Sequence, residues 1–277
     1  MAQGHSHALA HGAGEVLVAW REPRYAGGSR ATFVRTNDYL TYLRVDERTG
    51  AGTPRSTDLM LDRDSRPPRV AFVAGRFVLF WRPRSGAPVR FAFVGRDGAL
   101  ETERALPLGD SGDFDVVSVG EQVGVVSADQ GVIRFAVLDR EGRLRHPPVV
   151  LSRGVGTSNV SPRVVWAGTH FVVGWRTFPE AESFFTAVDA QGRAAPPLAI
   201  ADDARFELVA GADGVWAARA AQGDLSVLPL ACRTTPFDGP PRTIAPGRAS
   251  PASAPADEDV IPPGVRRTAP VRRPRAP

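Results

Sequence analysis

The chain of 277 residues contains a single cysteine, Cys232, and no lysine. One cysteine excludes an intramolecular disulfide and any Cys-x-x-Cys metal or redox site. Asparagine occurs only at Asn37 and Asn159, whereas all 34 basic residues are arginine. Together with the abundance of Ala, Gly, Pro and Val, this bias is typical of a GC-rich genome. The missing lysine is therefore read as codon usage and not as a functional signal.

Long hydrophobic runs are also missing. The longest apolar stretch among the first twenty residues is Val16–Trp20, and no basic segment precedes it. A secretory signal needs a longer apolar region, and a membrane span needs about 20 apolar residues. The sequence as written thus predicts a soluble protein without a membrane partner. It is cytoplasmic by default, and extracellular if the start is misassigned.

The chain has little net charge once its C-terminal segment is set aside. Residues 245–277 hold six arginines and three acids, which account for +3 of the formal net charge of +4. A nearly neutral remainder argues against a surface that tracks phosphates, so nucleic acid is an unlikely partner except weakly through this segment. Because the segment is rich in Pro, Ala, Arg and Ser, we expect residues 245–277 to form a disordered tail.

What the sequence does contain is a repeat. Turn glycines recur at steps of 48, 44, 50 and 47 residues: Gly50, Gly98, Gly142, Gly192 and Gly239. A period in the forties with several short strands per unit is the signature of a propeller blade. Apolar runs bounded by Gly, Asp and Pro predict strands, and 28 glycines with 25 prolines leave no room for long helices.

Each unit divides into four short strands. In the fourth unit these begin near Arg163, His170, Phe184 and Pro197, and in the second unit the last strand covers Leu100–Leu108. The turn glycines follow the third strands, and Ala-Gly turns at 74–75, 167–168 and 210–211 join the first strands to the second. The sequence therefore predicts an all-β protein, a five-bladed β-propeller of four-stranded antiparallel blades spanning residues 5–244. The first unit carries an insertion between Arg21 and Tyr39, which is interpreted as a lid-like loop or a disordered one.

Two segments show the repeat most clearly, Gly75–Trp81 with Asp97-Gly98, and Gly168–Trp175 with Asp189 and Gly192. Their pattern of Gly, an apolar run, Trp, an apolar strand and a turn Asp-Gly resembles the degenerate β-propeller repeats of many large bacterial proteins. The resemblance covers roughly residues 5–244, and it implies a fold but no particular chemical activity. Units three and five depart from it at Ser127 and Ala218, where Trp is expected.

Aspartates gather just before the innermost strands of units two, three and five. Clustered carboxylates in loops are typical solvated turn residues, but they can also bind Ca²⁺ or serve as the acid and base of a glycosidase. The positions are Asp62, Asp64, Asp110, Asp113, Asp115, Asp202 and Asp203.

Two other sets of residues admit alternative interpretations. His5, His7 and His11 would share one face of a strand, where they could chelate a metal or form a polar terminus. The Trp-Arg pairs that begin at Trp20, Trp81 and Trp175 could stack on a ligand or fill the space between blades. We expect the structural interpretation in both cases, and hence no metal and no cofactor.

Chain direction places the starts of the innermost strands and the ends of the second strands at one end of the blades. We call this end the variable face, because the connections there differ most in length, and function concentrates in such loops. The leading hypothesis is a non-catalytic binding or scaffold protein, expected to be a monomer, that engages a protein or glycan through the variable face. The alternative is a carbohydrate-active, glycosidase-like enzyme with carboxylates at the channel mouth. The candidate ligand-binding residues are Arg69, Asp115, Arg163 and Glu207 at the central mouth, with Arg82 and Arg176 farther out.

Overall fold

Five antiparallel sheets of consecutive strands follow one another along the chain. The computed structural model describes residues 7–230 except for short gaps, at 27–33, 62–66, 85, 111, 153–157, 179–181, 202–204, 212–213 and 222–223. The predicted tail at 245–277 and the last predicted turn glycine, Gly239, lie outside the described residues.

The strands fall into five blades. Blade 1 contains β1 (His7–Gly12), β2 (Glu15–Ala26), β3 (Val34–Asp46) and β4 (Gly52–Leu61). Blade 2 contains β5 (Arg69–Val73), β6 (Arg76–Trp81), β7 (Arg90–Val94) and β8 (Arg104–Ala105). Blade 3 contains β9 (Phe114–Val119), β10 (Gln122–Asp129), β11 (Val132–Leu138) and β12 (Val149–Ser152).

Blade 4 contains β13 (Ser158–Trp166), β14 (Phe171–Phe178), β15 (Glu182–Val188) and β16 (Leu198–Ala201). Blade 5 contains β17 (Arg205–Gly211), β18 (Gly214–Ala221) and β19 (Asp224–Leu230) within the described part of the chain. Among the described residues every strand pairs with its sequence neighbours in the same blade, and each inner strand contacts the inner strand of the next blade from β1 to β17. The protein is an all-β, five-bladed β-propeller.

Apolar side chains between adjacent blades form the core. Four buried clusters join blades 1 and 2, 2 and 3, 3 and 4, and 4 and 5. Middle strands such as β6 and β10 are buried on both faces because a blade lies on either side, and they therefore read as continuous apolar runs. Trp81 and Trp175 are each 1% exposed within these clusters, which confirms that the two indoles fill the space between blades.

The predicted turns between third and fourth strands are confirmed. Gly98, Gly142 and Gly192 adopt φ of 79°, 76° and 80°, the left-handed region that glycine tolerates best. In blades 3 and 4 the turn aspartate closes the loop. Asp139 Oδ1 accepts hydrogen bonds from the amides of Glu141 and Arg143, and these bonds lower the pKa of Asp139.

Three local expectations are wrong. The insertion in blade 1 is largely a long hairpin, since β2 extends to Ala26 and β3 begins at Val34. The outer strand of blade 2, expected over Leu100–Leu108, is limited to the two residues of β8, with an isolated bridge between Val94 and Leu100 before it. The turn expected at Ala210-Gly211 lies further along the chain, since Gly211 still pairs with Gly214.

Candidate functional site

Four charged residues occupy one register position on successive inner strands. Arg69, Asp115, Arg163 and Glu207 pair respectively with Phe80, Val126, Gly174 and Ala218 of the second strands. Their charges alternate in sign from blade 2 to blade 5. The sequence prediction that these four lie together at the start of the inner strands is consistent with this register, although their role in binding remains a proposal.

Arg69 and Asp115 connect blades 2 and 3. Arg69 Nε donates to Asp115 Oδ1 at 2.8 Å, and Asp115 Oδ2 accepts from the backbone N–H of Val164 at 3.2 Å. Only 15% of the Asp115 side chain is exposed. Burial raises the pKa of Asp115, and the positive charges of Arg69 and Arg163 oppose that rise. This carboxylate is thus held on both oxygens by protein donors.

Arg163 and Glu207 connect blades 4 and 5. Arg163 Nε and Nη2 donate to the two carboxylate oxygens of Glu207 at 2.7 and 2.8 Å. The Arg163 side chain is 22% exposed and that of Glu207 is 65% exposed. Such a bidentate ion pair fixes the relative orientation of the guanidinium and the carboxylate, and it leaves Glu207 partly exposed to water.

Neither of the two outer candidates is an exposed side chain. Arg82 is buried at 4% exposure, and Arg176 is half-buried. Both have interactions within the protein. Arg82 therefore contributes to the packing beside Trp81 and does not extend freely into solvent.

The aspartate and histidine sets do not form a metal site in the part of the chain that the structure describes, where no group of three metal-ligating side chains occurs. Asp62, Asp64, Asp202, Asp203 and His5 lie outside the described residues. His11 Nε2 lies 2.9 Å from Glu47 Oε2 at the surface, as expected for a polar strand.

A cavity of about 540 Å³ opens between blades 3 and 4 on the variable face. It lies where β10 ends, where β13 begins and where β14 ends at Phe178. Phe178 is 67% exposed, which is unusual for an aromatic ring. The lining residues are Gly112, Asp113, Ala128, Gln130, Gly131, Asn159, Val160, Ser161 and Phe178.

The backbone at this cavity is irregular. Ser161 adopts φ of 54° within a bulge where the pairing of β13 with β14 shifts between Val160 and Arg163. Its N–H donates to Asp113 Oδ2 at 3.2 Å, which ties the bulge to the segment preceding blade 3. Asn159 Nδ2 also donates across the blades, to the carbonyl of Gly131. A non-glycine residue in this region is strained and persists only where its neighbours hold it.

Sequence reasoning missed this cavity. The available signal was Pro162, because a proline inside a strand pattern marks a bulge. The exposure of Phe178 could not be predicted, because this residue ends an apolar strand and the sequence there does not distinguish core from surface positions. The bulge lies at the wall of the cavity, which Asn159, Val160 and Ser161 line.

Two other cavities, of about 570 and 530 Å³, lie between the outer parts of blades 1 and 2 and share Leu59, Trp81 and Glu103. Trp81 is buried there and Glu103 pairs with Arg90, while Glu101 at the rim pairs with Arg76.

No protein-family model matches the chain, and no curated protein sequence matches it. Solved structures resemble it at low identity. A GH43 enzyme from Xanthomonas citri complexed with xylose has 12% identity over 87% of this chain and 90% of its own, with a TM-score of 0.47. An α-L-arabinofuranosidase from Lactobacillus brevis has 12% identity over 87% and 93%, with a TM-score of 0.47. A mutant Aleuria aurantia lectin in complex with α-methyl-L-fucoside has 11% identity over 80% and 94%, with a TM-score of 0.44.

These likenesses concern the fold alone. The class of the protein, a five-bladed β-propeller, follows from its sheets and their order. In the described residues, no helix is long and apolar enough to cross a membrane.

Proposed function

We propose that this protein is a non-catalytic β-propeller that binds a protein or glycan ligand through its variable face. The observation that carries the proposal is the cavity between blades 3 and 4, where exposed Phe178 stands beside the polar groups of Asp113, Gln130 and Asn159. A concave site with an aromatic surface and a few convergent polar groups is the usual form of a ligand site.

The charged residues of the inner strands favour binding over catalysis. A carboxylate that acts as acid or base must reach the substrate. Asp115 is engaged on both oxygens by Arg69 and Val164, and Glu207 is engaged by Arg163. We infer that these pairs hold adjacent blades at fixed positions around the mouth, while the cavity at Phe178 supplies the contacts to the ligand.

The glycosidase-like alternative has one observation in its favour. Burial raises the pKa of Asp115, which is the property that a general acid requires. Turnover of chromogenic glycosides that disappears in Asp115→Asn would support this alternative. Two-carboxylate hydrolysis also requires a second carboxylate within about 10 Å of the first. If Glu207 is the second carboxylate, its ion pair with Arg163 must open before it can act on a substrate.

A glycan array followed by calorimetric titration of the best hit tests the proposal. Phe178→Ala should abolish binding, because it removes the aromatic surface. Val150→Ala is the matched control, since Val150 is also exposed, at 46%, but lies on the outer strand of blade 3. Binding that is equally strong in both variants would show that the ligand site lies elsewhere.

A further inference from the structure

The charge of the cavity at Phe178 limits the ligands that it can hold. Among its described lining residues one side chain is ionisable, the carboxylate of Asp113, and none is a cation. Arg163 follows the lining residue Ser161 by two positions, but its Nε and Nη2 donate to the carboxylate of Glu207. A negative wall without a cation repels phosphate, sulfate and carboxylate groups. The cavity therefore disfavours anionic ligands.

Phe178 gives the cavity a flat apolar surface. Trp175, three residues earlier on β14, is buried and stacks on Phe184 with 5.6 Å between the ring centroids. Phe178 ends the same strand and is exposed instead. The face of an aromatic ring carries partial negative charge and attracts the slightly positive hydrogens of C–H groups. This ring can therefore hold a ligand whose own face is made of C–H bonds.

Two amide side chains line the same cavity. Asn159 is buried, and its Nδ2 donates to the carbonyl oxygen of Gly131 on the neighbouring blade. Gln130 is exposed and adopts φ of 46° beside Gly131 at 78°, and these two residues form the tight turn between β10 and β11. An amide both donates and accepts hydrogen bonds, as a hydroxyl group does. The cavity thus presents uncharged groups that match a ligand rich in hydroxyls.

The fold holds the polar wall of the cavity in place. The hydrogen bond of Asn159 joins β13 to the turn between β10 and β11. The N–H groups of Ser161 and Val164 donate to Asp113 and Asp115 respectively, so that two aspartates at the start of blade 3 hold the bulged segment at two points. A site that is fixed in advance loses less conformational entropy when a ligand binds.

The size of the cavity favours a small ligand over a protein surface. Its volume of about 540 Å³ falls within the range of about 300–1,000 Å³ that is typical of small-ligand sites. A stable protein partner would need about 800 Å² of contact on this side, with several large apolar or aromatic anchors. Among the described lining residues Phe178 is the one large hydrophobic side chain that is exposed.

We propose that the ligand is an uncharged sugar, and that this cavity binds one ring of it. A sugar ring combines a C–H face, which lies on Phe178, with a rim of hydroxyl groups, which bond to Gln130 and Asn159. Sugars that carry a carboxylate or a sulfate are rejected, because Asp113 repels them. This assignment rests on the proposed function and narrows its ligand from a protein or glycan to a neutral glycan.

Saturation-transfer NMR on the full chain tests the selectivity. The probes are the uncharged methyl glycosides of hexoses, deoxyhexoses, pentoses and N-acetylhexosamines. The methyl glycosides of glucuronic and galacturonic acid are the matched charged forms of the glucose and galactose probes. We expect saturation of at least one neutral ring, strongest on the protons of its C–H face, and little saturation of either acid. No saturated neutral ring, or acids saturated as strongly as their neutral forms, would overturn the assignment.

Two substitutions at Phe178 test the stacked ring. Phe178→Tyr keeps the aromatic face and should bind the neutral ring like the parent. Phe178→Leu keeps an apolar contact without an aromatic face, and it should weaken binding by about fivefold or more. Both variants should fold, because the side chain is exposed. Equal binding by Phe178→Leu would show that no ring stacks there.

Asp113→Asn tests the repulsion of acidic sugars. It removes the charge but keeps a side-chain oxygen for the N–H of Ser161. Saturation of the two uronic acids should rise by about threefold or more relative to the neutral rings. An unchanged ratio would contradict the role given to Asp113.

Failure of this assignment can be told from failure of the proposed function. If no neutral ring is saturated but Phe178→Ala still abolishes binding of the best hit from the glycan array, the variable face binds a ligand of another class and only the neutral sugar is refuted. A neutral ring that binds Phe178→Ala as strongly as the parent would overturn both.

Discussion

The guanidinium of Arg163 on blade 4 donates two hydrogen bonds, at 2.7 and 2.8 Å, to the carboxylate of Glu207 on blade 5. The same register position on blades 2 and 3 holds Arg69 and Asp115, joined by a single bond at 2.8 Å, and the Asp115 side chain is 15% exposed against 65% for Glu207. The molecule therefore contains two versions of one inter-blade ion pair, which differ mainly in their exposure to water.

This difference predicts unequal contributions to stability. In double-mutant cycles with Arg→Met and Glu→Gln or Asp→Asn, the coupling of Arg163 with Glu207 should be about 0.5 kcal/mol, since Glu207 is largely solvated. Coupling of Arg69 with Asp115 should be larger, about 1–3 kcal/mol, because water does not replace the lost partner. Urea denaturation of the single and double variants gives both values. A larger coupling for the exposed pair would refute the assignment.

Truncating either of the inter-blade tryptophans should be severe. Trp81→Ala and Trp175→Ala each remove a buried indole and should cost roughly 3–5 kcal/mol of unfolding free energy. Trp81→Phe serves as the control, because it keeps most of the apolar volume and should recover much of the loss. Near-normal melting of the alanine variants would mean that the indoles belong to a ligand surface.

The turn aspartates predict a defined pH dependence. Hydrogen bonds to backbone amides and to arginine lower the pKa of Asp139 and of Asp189 in the folded state, although partial burial opposes this effect. The stabilisation by each charged carboxylate is therefore complete above the ordinary pKa of 3.8 and is lost as the pH falls through the folded value. Asp139→Asn and Asp189→Asn should be less stable than the parent at pH 6 and should approach it near pH 2. A stability difference that does not change with pH would contradict the mechanism.

Two truncations should separate the propeller from its tail. The strands β12 and β16 begin directly after Pro147-Pro148 and Pro196-Pro197, and the buried Leu151 and Ile200 follow. The same pattern recurs in Pro240-Pro241-Arg-Thr-Ile244, beyond the described residues. A chain ending at residue 247 should melt cooperatively like the full chain, whereas one ending at residue 238 should melt lower, because it lacks this segment. Differential scanning calorimetry of both chains measures the two melting temperatures. Equal melting temperatures would show that residues 239–247 lie outside the fold.

The sequence is informative where structure is determined locally. Turns at Gly98, Gly142 and Gly192 require a left-handed residue, and Trp81 and Trp175 end apolar runs, so both features can be recognised within a few residues. The propeller follows from their spacing.

Contacts between blades were harder to foresee. That Arg69, Asp115, Arg163 and Glu207 share a register could be predicted by counting from the repeated turns. Their partners depend on the offset between neighbouring sheets, which no local pattern encodes. The cavity at Phe178 depends in addition on the bulge at Ser161, which a regular four-strand repeat does not contain.

The strictly sequential order of the strands has a consequence for synthesis on the ribosome. Because every strand pairs only with its neighbours in the chain, a blade needs no residue that is translated after its own last strand. Local pairing of this kind forms quickly, and N-terminal units fold first during translation. Blade 1 can therefore be complete while blade 3 is still being made, and its core with blade 2 can form at once. The newest blade of the growing chain always has an uncovered apolar face, and a chaperone has most to protect while that face waits for the next blade.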